Sequence, residues 1–113
     1  MSILMIIKGI IALATAATGI LGLVKPTAIY GFTGLKADGE RGISEIRAIF
    51  GGLFIGLGLA PFFLGGVAYQ TVGMAYLTIA VARLVSIFLD RSTAQSNLIS
   101  LGIEIVFGVV LVI

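Results

Sequence analysis

Among the charged residues within or at the edges of the long apolar runs of this 113-residue chain, five map to the same half of the membrane: Glu45, Arg47, Arg83, Asp90 and Glu104. A carboxylate with a guanidinium counter-ion in apolar surroundings can do two kinds of work. It can take up and release a proton or hold a ligand, as in transporters, or it can lock two segments together. An isolated charge within a membrane span costs about 2.5–3.5 kcal/mol on insertion scales, so such residues turn inward and pair. Depth selects the partners. Arg83 lies six residues before Leu89 and Glu104 six residues after Leu98. At about 1.5 Å of rise per residue, both sit roughly 9 Å in from the same membrane surface. Asp90, seven residues on from Arg83, and Glu45 compete for the same guanidinium. Glu45 and Arg47 are shallow enough to reach the surface along their own stems. Opposite charges close to one surface favour a clasp joining the second, third and fourth apolar segments over a working proton site, which needs water access and a releasable acid.

Other chemistry finds little footing. The hydrophobic fraction is 59% and the charged fraction 11%, where soluble domains average about 25% charged residues. Mean hydropathy is +1.23. Such a chain belongs in the lipid bilayer. With no Cys and no His, disulfides, thiolate nucleophiles, the usual zinc sites and axial His ligation of haem are excluded, and no metal or cofactor is expected. The net charge is only +2 and its cations are scattered, which gives no footprint for nucleic acid. No nucleophile stands beside a base, so no enzyme is expected. The run GGLFIGLG lacks the Gly-Lys-Ser/Thr ending of a phosphate loop and follows no strand. It reads as helix packing.

The elements that must position the charges are four apolar helices, expected at about 3–24, 44–64, 67–89 and 94–113 in a single domain, each near the roughly 20 residues that a span requires. The fold class is all-α, a bundle of four transmembrane helices. Lys25-Pro26 stops the first helix. The alanines at Ala12, Ala14 and Ala16 resemble a signal-peptidase site, but the basic segment that precedes a signal core is missing, so the first helix is expected to remain as a span. Residues 26–42 form the one real loop, with a turn at Asp38-Gly39. Ser44 is the expected N-cap of the second helix, and Glu45 in its first turn suits the helix dipole. Pro61 and Gly65-Gly66 close that helix. Ser92 or Thr93 is the expected cap of the fourth, and the chain is expected to end within that apolar run without a polar tail. Tyr69, Tyr76, Arg83 and Asp90 recur every seven residues along the third helix. Asn97, Ser100, Glu104 and Gly108 share one face of the fourth.

Small residues mark the contact faces, because backbones in lipid approach closely where side chains are absent. On the second helix Ala48, Gly52, Gly56 and Ala60 form one stripe, with Glu45 at its head. Gly51 and Gly58 lie on the other side, with Arg47 at theirs. The first stripe is expected to make the closest approach to neighbouring helices. Lys8, Ala12, Thr15, Gly19 and Gly22 form a further stripe on the first helix.

From Ser44 through Gly52 the chain resembles an uncharacterised family of small bacterial four-helix membrane proteins, catalogued only as a domain of unknown function. The family pattern ends helix one with Gly-x-x-Gly-Leu-x-x-Pro, matching Gly19, Gly22, Leu23 and Pro26. It opens helix two with Glu-Ile-Arg followed by Gly-Gly, matching Glu45 to Arg47 and Gly51-Gly52. It carries Arg and, seven residues on, Asp in helix three, matching Arg83 and Asp90, and a Glu in helix four like Glu104. The pattern has Gly after that aspartate, where this chain has Arg91. The resemblance implies the fold and supplies no activity. Small multidrug transporters match only in outline, since their essential acid lies in helix one, which here has none.

Orientation follows from the cations. Lys25, Lys36, Arg41, Arg47 and Arg91 lie on one side and only Lys8 on the other, so the first side is expected in the cytoplasm. Both termini are then periplasmic in a bacterial inner membrane. The functional expectation is a non-enzymatic accessory or structural subunit packing against other membrane proteins or itself. Its rival is a small transporter or lipophilic-ligand carrier using the Glu104 and Arg83 pair.

Overall fold

The computed structural model describes residues 2–113, which form helices and the turns between them. In chain order these are α1 (Ile3–Val24), α2 (Ala28–Thr33), α3 (Gly39–Glu45), a π-helical segment (Ile46–Leu53), α4 (Phe54–Leu64), α5 (Gly66–Asp90) and α6 (Gln95–Val112). The segments from α3 to α4 run on without a break. Among the described residues four helices are therefore long and apolar enough to cross a membrane: Ile3–Val24, Gly39–Leu64, Gly66–Asp90 and Gln95–Val112. The protein is all-α, and it divides into two compact units, one up to Gly65 and one from Gly66 onward.

The helix ends follow local rules with two corrections. The second span begins at Gly39, five residues before the expected cap at Ser44, which lies inside the helix. Gly39 adopts φ 78°, a left-handed conformation cheap only for glycine, and this turns the chain into the helix early. The polar turn that follows is supported by an Arg41–Glu45 ion pair at the i,i+4 spacing. At the fourth span neither Ser92 nor Thr93 caps the helix; Ala94 occupies that position and Ser92 serves Asn97 instead. The second span also passes through Pro61 and stops only at Gly65, whose φ is 84°. So close to the end of the helix, a proline sacrifices one backbone hydrogen bond without breaking the span.

In the first unit, α1 packs antiparallel to the π segment and α4 through contacts that only glycine allows. A methyl group on Gly58 would stand 2.4 Å from the Ala16 nitrogen and 2.6 Å from the Ala12 carbonyl oxygen. One on Gly19 would stand 2.5 Å from the Ile55 nitrogen, and one on Gly51 2.9 Å from the Leu23 nitrogen. Lys8, Ala12, Thr15, Gly19 and Gly22 are all buried, so the stripe read along α1 is an inward face.

The expectation for the second span is corrected. Its closest approach to α1 runs along Gly51 and Gly58, whereas Gly52 and Gly56 have open space where a side chain would be. Ala48, Gly52 and Gly56 are exposed and Ala60 is half-buried. The reason lies at the end of α1. Pro26 stops the helix, and the Leu23 carbonyl in its last turn receives a hydrogen bond from the Arg47 guanidinium, in the manner of a basic side chain closing a helix C-terminus. That contact turns the Arg47 side of the second span toward α1, and Gly51 and Gly58 follow it. The buried pair Ile46 and Gly51 has the five-residue spacing of a π turn rather than that of an α turn.

In the second unit, α5 and α6 pack antiparallel, again across glycines. A methyl group on Gly73 would stand 3.0 Å from the Gly108 carbonyl oxygen and 2.9 Å from the Leu111 side chain. Tyr76 meets Phe107 edge to face, with ring centroids 5.5 Å apart. Outward positions along both units are large and apolar, Phe63, Phe88 and Leu89 being among the most exposed. That suits lipid and would be costly in water.

Candidate functional site

Arg83 projects from α5 near its C-terminal end and Glu104 from α6. The guanidinium meets the carboxylate as a two-pronged fork: Nε donates to Oε1 at 2.7 Å and Nη2 to Oε2 at 2.6 Å. Parallel charge-assisted bonds of this kind are among the strongest that side chains make, and only arginine offers the planar fork they need. The remaining terminal nitrogen, Nη1, donates to Asn97 Oδ1 at 2.7 Å. Asn97 Nδ2 in turn donates to the Ser92 carbonyl at 2.8 Å and to Ser92 Oγ at 3.0 Å. The chain of bonds runs from the Ser92 turn, through α6, to α5.

The pair is placed by packing on its inner side. Deeper along the pair, Phe107 meets Tyr76 edge to face, and Gly73 opposite Gly108 brings the backbones together. Glu104 is buried with a side chain 11% exposed, and that of Arg83 is 30% exposed. A cavity of about 320 Å³ opens beside the guanidinium, lined by Ile79, Ala82, Ser86, Ser92 and Asn97. It is polar on the Ser86 and Ser92 side. Both carboxylate oxygens and each of the three guanidinium nitrogens already hold a protein partner. The arrangement is a filled clasp within the second unit.

The other predicted charges are engaged elsewhere. Glu45 pairs with Arg41 one turn away on an exposed surface. Arg47 holds the Leu23 carbonyl. Asp90 accepts a hydrogen bond from Ser86 Oγ at 2.7 Å, so it does not compete for Arg83. Within the second unit the Arg83–Glu104 pair forms, and within the first Glu45 and Arg47 have partners of their own. Neighbours along a helix are in reach at every moment of folding, which favours Arg41 for Glu45 and Ser86 for Asp90.

Two members of the Arg83 network were not among the predicted site residues. Asn97 carried a signal, since it lies seven residues from Glu104 on the same face. Ser92 had none beyond its place in the turn. The packing glycine Gly73 also went unnoticed, because it is the one glycine within α5 beyond its first residue and so forms no stripe. Among the described residues no group of acids could hold a metal ion.

A family model described as "Domain of unknown function (DUF4345)" matches residues 3–113, and the chain belongs to that family. No curated protein and no solved structure matches it.

Proposed function

We propose that this member of the DUF4345 family is a non-enzymatic membrane subunit that docks against a neighbouring transmembrane helix, of another membrane protein or of a second copy. The observation that carries this reading is the small-residue face of the second span that the first unit leaves uncovered. No atom of that unit stands where a side chain on Gly52 or Gly56 would be, while Gly51 and Gly58 on the opposite side are tightly filled by α1. A small-residue ridge in lipid gains packing only when another backbone comes against it. The filled clasp of Arg83 and Glu104 supports the same reading, since both groups are already satisfied.

A test is purification of the tagged full chain from native membranes in mild detergent, beside Gly56→Leu. A stoichiometric assembly with the unmodified chain, lost in a variant that stays folded, is the expected result. Recovery of the bare protein at native expression would refute the docking role. The rival carrier reading draws on the cavity beside Arg83. It requires Glu104 to react with a carbodiimide in a pH-dependent manner and to be protected by a lipophilic ligand.

A further inference from the structure

The connection between α1 and α3 encloses a second cavity, distinct from the docking face and wholly within the first unit. It has a volume of about 170 Å³, on the scale of the roughly 150 Å³ cavity that admits benzene in a protein core. Its floor is buried, formed by Pro26 and Ile46, while Tyr30, Leu35 and Lys36 at its edge are exposed. Lys36 is the only charged residue lining it. Asp38, at the N-cap position of α3, and Glu40 in its first turn are not part of the lining.

The walls are held in place. Gly34, with φ 76°, receives α2 by donating its N–H to the Tyr30 carbonyl at 2.9 Å, and the Leu35 N–H donates to Thr33 Oγ1 at 3.0 Å. Across the loop, Ala37 lies against Gly42, where an added methyl would stand 3.2 Å from the Ala37 Cβ. These contacts give the pocket its shape. It opens where α1 ends and the apolar part of the second span begins, the level of lipid headgroups. An apolar floor at that level suits methylene groups, an exposed tyrosine suits the interface, and an ammonium at the rim suits an anion. Basic pockets between helices near a membrane surface take anionic lipid headgroups.

We infer that this pocket binds an anionic phospholipid, its headgroup phosphate on Lys36 and the first methylenes of one acyl chain over Pro26 and Ile46. The lipid is the source of the phosphate, because the floor offers nothing to a free ion.

Native mass spectrometry of the full chain tests this, with dioleoyl phosphatidylglycerol, dioleoyl phosphatidylcholine or inorganic phosphate added in detergent. Phosphatidylglycerol should be retained about five-fold over phosphatidylcholine, the factor that one lysine near an anionic headgroup confers. Lys36→Glu, in an exposed loop position, should abolish that preference. Ala37→Trp, which fills the cavity, should reduce retention of both lipids, with circular dichroism verifying that the helices persist. Equal retention of the two lipids, an unchanged preference in Lys36→Glu, or adducts of inorganic phosphate as abundant as those of lipid would each overturn the inference.

Discussion

Arg83 and Glu104 stand 21 residues apart in the chain and meet through two parallel hydrogen bonds, with Asn97 taking the one guanidinium nitrogen left over. The α5–α6 pair thus closes at its charged end by a satisfied ion pair and at its other end by glycine-to-glycine contact. Removing either partner leaves the other stranded. Arg83→Ala or Glu104→Ala should cost toward the lower end of about 3–5 kcal/mol, because the guanidinium keeps some access to the surface. Arg83→Lys should recover little, since an ammonium cannot span both carboxylate oxygens and Asn97 together. The exchange Arg83→Glu with Glu104→Arg should regain part of the loss in a thermal-melting double-mutant cycle in detergent. A double exchange equal to the sum of its parts would mean that the pair contributes no coupling.

The two glycine faces of the second span should respond in opposite ways to one added methyl group. Gly58→Ala drives a methyl against backbone atoms that cannot yield, so a loss near the top of about 1–3 kcal/mol is expected. Gly56→Ala meets open space and removes a flexible residue from a helix, so a gain of roughly 0.5–1 kcal/mol is expected. Thermal midpoints of the two variants in the same detergent decide the matter. Equal destabilisation would place both faces in contact.

Arg91 has φ 54°, a left-handed conformation that costs a residue with a side chain about 1–2 kcal/mol. Glycine adopts this conformation without that cost. Arg91→Gly should raise stability by about 0.5–1 kcal/mol once the extra freedom of the unfolded glycine is subtracted. An unchanged or lower melting temperature would show that the arginine side chain contributes as much as the backbone loses.

Asn97 ties the Ser92 turn to the guanidinium. Asn97→Leu should cost about 1–3 kcal/mol by leaving the Arg83 Nη1 hydrogen unpaired. Amide hydrogen exchange in the first turn of α6 should rise more than at its centre. A uniform rise along the helix would assign the effect to global stability and not to the turn.

Orientation is tested by a single cysteine in a chain that has none of its own. In intact cells an impermeant reagent should fail to label Lys36→Cys and should label Gly65→Cys, as the excess of cations on the Lys36 side requires. The reverse pattern would invert the topology.

Composition and run length alone determined the class of this protein. A backbone in lipid is satisfied only within helices or closed barrels, and continuous apolar runs about 20 residues long select helices and leave little choice of where they lie. The Arg83–Glu104 pair was legible for the same reason. A charge at known depth in a helix has a short list of partners, and antiparallel neighbours joined by a tight turn bring equal depths together. The contact face of the second span was not legible. Spacing yields two glycine faces of similar quality, and the choice between them rests on Arg47 reaching the carbonyl of Leu23, 24 residues away. The π turn at Ile46–Leu53 was equally hidden, because it changes the rotation per residue that any face assignment takes as constant. The partners of Glu45 and Asp90 were decided by proximity along their own helices. Periodicity reports which residues share a face, and only tertiary structure says which face is covered.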